Sequence, residues 1–175
     1  ENNLDTVLYG IDAAKQAGAH VLLDPAPATH LPPDVFPKLD IIKPNETEAS
    51  LVTGITVTDI ESASRAGKWL VEKGVKIAIV TLGASGAVVV TTDSTRHYPA
   101  PIVNCVDATG AGDIFSGALL SALSDDTPLS DAVWYANHAA ALACTKLGVI
   151  EAIPCRDEVA AFLENSGLCK ECVHA

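Results

Sequence analysis

The sequence predicts an α/β fold with a largely parallel sheet. Short β-prone runs alternate with stretches of helical periodicity, an order that is typical of helices layered on a parallel sheet. The chain has 175 residues, 49% of them hydrophobic, which is enough to bury the core of one domain. Ligands of such folds bind beyond the carboxyl ends of the strands, so the polar residues that follow the strands are the candidate site.

The first half of the chain is expected to contain three helices and two strands. Each predicted helix is followed directly by a glycine, the residue that most often terminates a helix. The first strand stops before Pro25, which lacks the backbone donor that a sheet needs. Helices are predicted over 4–17, 46–53 and 59–73, and strands over 20–24 and 40–42.

The second half is expected to begin with the most β-prone runs of the chain and to end in apolar helices. Strands are predicted over 75–82 and 87–92, and a short strand over 96–98 returns as a hairpin across the polar turn 92–95. Helices are predicted over 111–123, 129–147 and 156–164.

The charge balance and the lack of long apolar runs limit the classes of partner. The net charge is -11, from 22 acidic and 11 basic residues without a Lys/Arg cluster, so a nucleic-acid partner is not expected. No apolar run approaches the roughly 20 residues that span a bilayer, and residues 1–10 lack the features of a signal peptide. We therefore expect a cytoplasmic protein without a membrane partner.

The cysteines and the chain ends give further expectations. Five cysteines, scattered and odd in number, do not resemble the disulfide framework of a secreted protein. Cys169 and Cys172 with His174 have the spacing of half a zinc site, but no second cysteine pair completes it, so a flexible tail over 168–175 is the simpler interpretation. The chain begins with Glu1 and contains no methionine, so we expect a piece of a longer gene product.

The stretch 107–113, Asp-Ala-Thr-Gly-Ala-Gly-Asp, places three small residues between two aspartates at the start of an apolar helix. The backbone N–H groups of Gly110, Ala111 and Gly112 would point from a helix N-terminus, where an anion such as phosphate is stabilised. Asp113 has a chemical task there if it accepts the proton of an attacking hydroxyl. The alternative is a glycine-rich turn in which Asp113 only complements the helix dipole, and composition alone leaves both open.

Other glycine-loop functions are excluded by the same stretch. A dinucleotide-binding loop needs a third glycine where Phe115 stands, and a nucleophile elbow around Ser116 needs a glycine where Ile114 stands. The Gly-Lys-Ser/Thr of a P-loop occurs nowhere in the chain. The phosphate interpretation therefore does not depend on those motifs.

Two further strand ends carry polar or glycine-rich stretches. At 43–49, Asn45 stands at a helix N-cap and Glu48 at the third helical position, so the pair predicts a capping box. The same side chains could organise Mg2+, directly or through water, because nucleotide-bound Mg2+ takes few protein carboxylates, and the two interpretations are compatible. At 81–89, the paired glycines predict either a tight hairpin turn or open backbone beside a nucleotide.

The stretch 107–118 resembles the C-terminal signature of the PfkB family of sugar and nucleoside kinases. Four further stretches occur in the order and spacing of the family's ribokinase branch: Asp-Pro-Ala-Pro-Ala at 24–28, Pro-Asn-Glu-Thr-Glu at 44–48, Thr-Leu-Gly at 81–83 and Ala-Asn-His-Ala-Ala at 136–140. The resemblance implies a ribokinase-like three-layer α/β/α sandwich with a mostly parallel sheet. Residues 1–167 would be its C-terminal part, lacking the family's N-terminal half and β lid.

The resemblance also implies the chemistry and the residues that carry it. It predicts ATP- and Mg2+-dependent phosphorylation of a sugar hydroxyl, with ribose to ribose 5-phosphate as the favoured reaction. Asp113 is then the catalytic base, Asp107 hydrogen-bonds the sugar, and Glu48 organises magnesium. The anion hole consists of three consecutive backbone groups, those of Gly110, Ala111 and Gly112. The implied nucleotide-binding positions are Asn45, Thr81, Gly83, Gly86, Gly112 and Asn137.

A monovalent-cation loop is implied by the same resemblance, and ribokinases fill it with potassium through mainly backbone oxygens. The implied ligands are Asp107, Thr109, Ala143, Lys146 and Gly148. Ala152 stands where ribokinases usually supply a serine hydroxyl, so one ligand is missing or replaced by water. Potassium activation therefore stays open.

Three functions remain open from the sequence. The first is a ribokinase-like enzyme that acts on ATP and a small sugar when the whole chain is present, with a homodimer as one assembly it could form. The second is a truncated, noncatalytic module that binds nucleotide without sugar-dependent turnover. The third is a PfkB kinase for fructose, ketodeoxygluconate or a nucleoside, because the residues that select the sugar lie outside this chain.

Overall fold

The computed structural model describes residues 2–165, which form two compact units. The first unit contains residues 2–82 and 88–97, and the second contains residues 83–87 and 98–165. The predicted tail over 168–175, with its cysteine pair, lies outside the described residues, so the boundary at 167 stays a prediction. Among the described residues, no helix is long and apolar enough to cross a membrane.

Five strands form one sheet, in which they lie side by side in chain order. They are β1 (Leu22–Leu23), β2 (Ile41–Ile42), β3 (Ile77–Thr81), β4 (Ala87–Val90) and β5 (Thr95–Tyr98). β1 pairs with β2 and β2 with β3 in parallel. The loops 82–86 and 91–94 are too short for a parallel crossover, so β4 and then β5 each reverse direction. Four of the five strands therefore run the same way, as the predicted mostly parallel sheet and its hairpin require.

Three α-helices and a 3₁₀ helix accompany the strands of the first unit. They are α1 (Leu4–Gln16), the 3₁₀ helix Pro33–Lys38, α2 (Glu46–Thr53) and α3 (Ile60–Glu72). The three predicted α-helices are confirmed. The 3₁₀ helix was not expected from the sequence, because Pro33 and Pro37 break the apolar periodicity and remove the amide donors that a longer helix would need.

The core of the first unit consists of buried aliphatic side chains from the strands and helices. Ile42, Leu70 and Val80 are completely excluded from solvent. Phe36 packs edge-to-face on Trp69, with 5.7 Å between the ring centroids. Burial of one such side chain contributes about 1.5–3 kcal/mol. This packing holds the 3₁₀ helix and α3 in place around strands that are too short to be stable by themselves.

The second unit is mainly helical. It contains α4 (Ala111–Ser124), α5 (Leu129–Ala143), α6 (Arg156–Asn165) and the 3₁₀ helices Gly83–Ser85 and Ile150–Ala152. α4 packs along α5, and a small apolar core forms between α4, α5 and α6 from residues such as Ile114, Ala139 and Val159. The predicted helices over 111–123 and 156–164 are confirmed.

The predicted extension of the fifth helix to residue 147 is wrong, because α5 ends at Ala143. The Cys144 carbonyl, which would continue the helix, accepts hydrogen bonds from the N–H groups of Val106 at 2.7 Å and Asp107 at 3.2 Å. The Thr145 hydroxyl donates to the Leu142 carbonyl at 2.7 Å. These contacts satisfy the last turn and direct the chain away from the helix axis.

A buried carboxylate ties together the starts of the parallel strands. Asp40, which precedes β2, accepts hydrogen bonds from Lys15 Nζ and the Val21 N–H at 2.9 Å each, and from Lys76 Nζ at 2.7 Å. Burial raises the pKa of this carboxyl, but the hydrogen bonds from the two lysines and Val21 outweigh it and hold the pKa well below its usual value. Asp40 therefore stays ionised and joins α1 to the starts of three strands.

We expect Asp40→Asn to lower the free energy of unfolding by about 2 kcal/mol, because hydrogen bonds to an ionised group contribute about 1.5–3 kcal/mol. The folded-state pKa of Asp40 lies below its unfolded value of about 3.9. Its contribution should therefore be complete above that pH and should be lost as the pH falls towards the folded pKa. Urea unfolding followed by circular dichroism, at neutral pH and in acid, measures both effects.

Asp34→Asn is the matched control, since the Asp34 side chain is 78% exposed and lies 3.8 Å from Lys38 Nζ. We expect no measurable change in the free energy of unfolding for this variant. Equal losses in the two variants would contradict a special contribution from the buried carboxylate.

Candidate functional site

The predicted site residues fall into two groups, one in each unit. In the first unit they lie beyond the carboxyl ends of β1, β2 and β3. Asp24 and Lys43 lie at the same strand ends, although the sequence did not predict them as site residues. We call the whole group the strand-end cluster; it consists of Asp24, Lys43, Asn45, Glu48 and Thr81. In the second unit they lie in the loop between β3 and β4, at the start of α4, and within or just after α5.

Parallel pairing brings the strand-end cluster together. The Lys43 N–H donates to the Leu23 carbonyl at 2.9 Å, and the Thr81 N–H donates to the Pro44 carbonyl at the same distance. Asn45 and Thr81 form an isolated parallel bridge just beyond the strands. Because parallel strands end at one edge of a sheet, these residues share that edge.

Asn45 and Glu48 form the capping box that the sequence predicts at the start of α2. The Glu48 N–H donates to Asn45 Oδ1 at 2.9 Å, and the Asn45 N–H donates to Glu48 Oε2 at 2.8 Å. Asn45 Nδ2 also donates to Glu48 Oε1 at 2.9 Å. Two hydrogen bonds from Asn45 therefore fix the Glu48 carboxylate in position, and the third joins the Glu48 backbone to the Asn45 side chain.

The Glu48 carboxylate lies in an environment that penalises its charge. Glu48 is 7% exposed. Burial raises the pKa of its carboxyl, and the nearby Asp24 carboxylate adds to the rise, whereas Asn45 and the Lys43 ammonium oppose it. A cation placed beside Glu48 would offset the cost of its negative charge.

Lys43, which is buried, forms an ion pair with the half-buried Asp24, and the sequence did not reveal this pair. Lys43 is 3% exposed, and its Nζ lies 2.6 Å from Asp24 Oδ2. Asp24 begins one stretch that matches the ribokinase branch and Lys43 precedes another, but neither residue type nor spacing indicated that the two side chains meet. The pairing follows from the β1–β2 register, in which Leu23 lies opposite Ile42.

The donor set of the strand-end cluster fits magnesium that is held mainly through water. Within residues 2–165, no group of three or more His, Cys, Asp or Glu side chains converges as a metal cage. Mg2+ bound to a nucleotide usually keeps several waters and takes only one or two protein carboxylates. Glu48, with Asn45 beside it, supplies a carboxylate of that kind.

The chain turns into α4 at Gly110, whose backbone has a left-handed conformation with φ of 76°. A Cβ atom at this position would lie 2.8 Å from Cγ1 of Val149, so a side chain is opposed by both conformation and space. The Ala111 N–H donates to the Ala108 carbonyl at 3.2 Å, so this N–H spends part of its hydrogen-bonding capacity within the loop. The fold therefore requires a glycine at position 110, independently of any ligand.

The Asp107 carboxylate holds this turn against the segment after α5. Its Oδ1 accepts from the Thr109 N–H at 2.9 Å and the Thr109 hydroxyl at 2.7 Å, and its Oδ2 accepts from the Gly148 N–H at 3.1 Å. Hydrogen bonds from Thr109, and then from Gly148, hold the pKa of Asp107 below its usual value. Asp107 therefore stays ionised as a link between the two segments.

The structure brings the predicted cation-loop residues together. Thr109 and Gly148 both contact Asp107, and the Lys146 N–H donates to the Ala143 carbonyl at 3.0 Å. The Lys146 Nζ lies 3.1 Å from Glu158 Oε1, so only the main chain of Lys146 is available as a ligand in the cation loop. The occupancy of the loop by a monovalent cation stays a prediction.

Asp113 lies exposed in the first turn of α4, at the border of a cavity of about 360 Å³. Apolar groups from α4, α5 and the segment 149–154 form most of its wall, including Ile114, Tyr135 and Val149. An exposed carboxylate at a helix N-terminus is stabilised by the dipole and is accessible to a hydroxyl substrate. Its role as a base stays a prediction.

Two predicted nucleotide-binding residues converge on one peptide group. Gly86 has φ of 90°, and a Cβ atom there would collide with the Tyr98 carbonyl. Asn137 is 5% exposed, and its Nδ2 donates to the same carbonyl at 3.0 Å. Both residues thus fix the backbone at 98–100, whereas Gly83 has nothing within 4 Å of the position of a Cβ atom.

Comparisons with known proteins agree with the resemblance in the sequence. A family model described as pfkB family carbohydrate kinase matches residues 1–156. Ribokinase from Haemophilus influenzae is 38% identical over 167 residues, which cover 93% of this chain and 55% of that protein. Deoxyribokinase from Salmonella typhi is 43% identical over 118 residues, covering 67% of this chain and 39% of that protein.

Solved structures give the same result for the fold. The crystal structure of ribokinase from Thermotoga maritima matches with a TM-score of 0.81 and 38% identity, over 89% of this chain and 52% of that one. The structure of Arabidopsis thaliana ribokinase complexed with ribose and ATP matches with a TM-score of 0.82 and 32% identity, over 88% of this chain and 50% of that one. The chain thus has a ribokinase-like fold and spans about half the length of these relatives.

We expect Gly110→Ala to destabilise the second unit, because left-handed backbone costs an L-residue about 1–2 kcal/mol and the new Cβ atom meets Val149. Adding Val149→Ala to this variant removes the obstructing methyl groups and should restore part of the loss. Urea unfolding of the two single variants and the double variant measures this coupling.

Gly117→Ala is the control on the same helix, since nothing lies within 4 Å of its Cβ position. Alanine is favoured over glycine inside a helix, so this variant should be at least as stable as the original chain. If Gly110→Ala were equally well tolerated, the turn would not need a glycine.

Proposed function

Because the chain belongs to the pfkB family of carbohydrate kinases, we propose that it forms the nucleotide-binding side of an enzyme that transfers a phosphoryl group from ATP to a sugar hydroxyl. The observation that carries the proposal is the position of Asp113, an exposed carboxylate in the first turn of a helix that begins at a left-handed glycine. Such a helix start attracts a phosphate, and the carboxylate accepts a proton beside it.

In the proposed reaction, Asp113 takes the proton of the sugar hydroxyl as its oxygen attacks the terminal phosphorus of ATP. The backbone N–H groups at 110–112 stabilise the charge on the transferring phosphoryl group. Phosphoryl transfer depends mainly on such positioning and charge stabilisation, so a rigid turn suits it.

The strand-end cluster is the proposed magnesium and phosphate region. Magnesium, when bound with the nucleotide, would neutralise phosphate charge. Glu48 would hold it through water, and Asn45 would keep the Glu48 carboxylate oriented. Lys43 offsets the two nearby carboxylates, so the cluster tolerates an anionic nucleotide better than Asp24 and Glu48 alone would.

The proposed nucleotide-binding positions differ in how much support the structure gives them. Gly83 has open space around it, which suits close approach of a ligand to its backbone. The Thr81 main chain is engaged by Pro44, and the Asn137 amide by Tyr98, so these residues support the site by shaping its backbone. Gly86 acts in the same way, through the turn that only glycine permits.

Ribose is the proposed sugar, because ribokinases are among the most similar relatives and the Arabidopsis ribokinase structure contains ribose and ATP. Asp107 was expected to bind the sugar and the monovalent cation. Its oxygens already accept three hydrogen bonds from Thr109 and Gly148. This favours a role for Asp107 in holding the loop. Any contact with the sugar would be made by carboxylate oxygens that also keep these hydrogen bonds. Potassium in the loop remains part of the proposal.

A second candidate function is supported by the length of the match. The chain spans 50% to 55% of the ribokinases compared above, so a module that binds nucleotide without turnover is the alternative. The two functions differ in one observable: sugar-dependent release of ADP.

We expect ribose to stimulate ADP formation from Mg-ATP, and Asp113→Asn to lower this rate by about 100-fold or more, as loss of a general base does. Nucleotide binding, measured by calorimetry, should be retained, because asparagine preserves the size of the side chain and removes only its negative charge and its ability to take the proton. Asp126→Asn, at an exposed position after the same helix, is the charge-matched control and should retain full activity.

The outcomes separate the two candidates. Ribose-dependent turnover that survives Asp113→Asn would contradict the proposed base. ATP binding without turnover in any variant would favour the noncatalytic module and overturn catalysis by this chain alone.

We expect Glu48→Gln to weaken the Mg2+ dependence of ATP binding by about tenfold, as loss of an outer metal contact typically does. Glutamine keeps an acceptor for the capping box, so the fold should be preserved. Calorimetric titration of ATP at a series of Mg2+ concentrations measures the change.

Glu46→Gln is the control, because it removes the same charge from the same turn of α2 without touching the capping box. Equal shifts in the two variants would indicate a general charge effect and would contradict a specific magnesium role for Glu48.

A further inference from the structure

Two cysteines meet where the turn into α4 approaches the end of α5. Cys105 is exposed and lies two residues before Asp107, while Cys144 is the C-cap residue of α5 and is half-buried. Burial raises the pKa of the Cys144 thiol, the neighbouring Cys105 thiol raises it further, and neither thiol is in a disulfide. The function proposed above gives neither thiol a role.

Main-chain hydrogen bonds hold the two cysteines side by side. The Cys144 carbonyl accepts from the N–H groups of Val106 and Asp107, so the residue after Cys105 is tied directly to Cys144. A disulfide forms without strain only between cysteines whose main chains are already close. These hydrogen bonds bring the main chain next to Cys105 close to Cys144, as a bond between the two sulfurs needs.

We propose that Cys105 and Cys144 are a redox modification site, which forms a reversible intramolecular disulfide by exchange with a low-molecular-weight disulfide such as oxidised glutathione. The more exposed thiol, Cys105, reacts first. Its sulfur attacks one glutathione sulfur, which leaves a mixed disulfide and releases one reduced glutathione.

The second step closes the protein disulfide. The Cys144 sulfur attacks the Cys105 sulfur and expels the second glutathione as a thiol. Overall, two cysteine thiols are oxidised, one glutathione disulfide is reduced to two thiols, and the two cysteine protons leave with them. A dithiol reductant reverses the reaction by the same exchange.

The disulfide would act on the turn that begins α4. A sulfur–sulfur bond is about 2.05 Å long, which is shorter than any non-bonded contact, so it draws Cys105 towards the end of α5. Asp107 follows closely and binds both Thr109 and Gly148, so the shift reaches the Gly110 turn. Displacement of catalytic groups by 1 Å can cost about 100-fold in rate, so we expect the disulfide to lower the rate of phosphoryl transfer. This effect on the rate rests on the function proposed above, whereas formation of the disulfide does not.

The first test counts thiols in a chain that keeps only this pair, with Cys155, Cys169 and Cys172 changed to serine. The chain is treated with oxidised glutathione, alkylated and analysed by intact-mass and peptide mass spectrometry. We expect Cys105 and Cys144 to lose alkylation together, to appear as one cross-linked peptide pair, and to regain alkylation after dithiothreitol.

Cys144→Ser in the same background is the matched control. Without a resolving thiol, the mixed disulfide at Cys105 should accumulate, which separates reactivity of Cys105 from closure of the pair. Accumulation of that mixed disulfide even when Cys144 is present would overturn the proposal, as would full alkylation of both thiols after the treatment. Circular dichroism establishes that both chains are folded.

The second test measures the effect on the turn by hydrogen–deuterium exchange of residues 105–112. We expect slower exchange in the oxidised chain and no change in the Cys144→Ser chain. Unchanged exchange in the cross-linked chain would overturn the effect on the turn. If the reduced chain lacks ribose-dependent turnover, catalysis by this chain alone is overturned, but thiol counting and hydrogen exchange still decide the present proposal.

Discussion

The buried carboxylate of Asp40 is the interaction on which the first unit depends most. β1 and β2 contribute only two residues each to the ladder, so their backbone pairing by itself specifies the register weakly. Asp40 fixes the N–H of Val21 just before β1 and binds a lysine just before β3. The register that results sets Asp24 beside Lys43 at the opposite edge. A charge at one end of the strands thus positions the charges at the other.

Much of this fold could be predicted because its signals are local. The glycines that end helices and the N-cap residues of α2 and α3 lie within a few residues of the helices they delimit, and the structure contains those helices with nearly the predicted bounds. The prediction failed where a distant contact decides the conformation. Helical periodicity continues beyond Ala143, yet the next carbonyl bonds to a segment far away in sequence. The 3₁₀ helix Pro33–Lys38 was missed because its prolines interrupt the apolar periodicity, so the pattern did not indicate that Val35 and Phe36 are buried.

The candidate site shows the same division between local and distant information. The Asn45 and Glu48 pair could be recognised three residues apart, and the structure contains the hydrogen bonds that this spacing predicts. Motif spacing did not reveal that Lys43 would be buried against Asp24, or that the Asn137 amide would be engaged by a main-chain carbonyl. A motif identifies which residues belong together, but only packing determines whether a side chain faces a ligand or its own backbone.

Gly86 and Gly110, both obstructed by neighbouring atoms, have different prospects for evolutionary change. At Gly86 the obstacle is the main chain at 98–100, and no substitution elsewhere can delete a peptide group. At Gly110 the nearest obstacle is a valine side chain, which a neighbouring mutation can shorten. Drift at position 110 should therefore be epistatic with position 149, whereas position 86 should be invariant in every genetic background. In homologous sequences, paired changes at positions 110 and 149 would therefore indicate the packing of the turn into α4, independently of its role in catalysis.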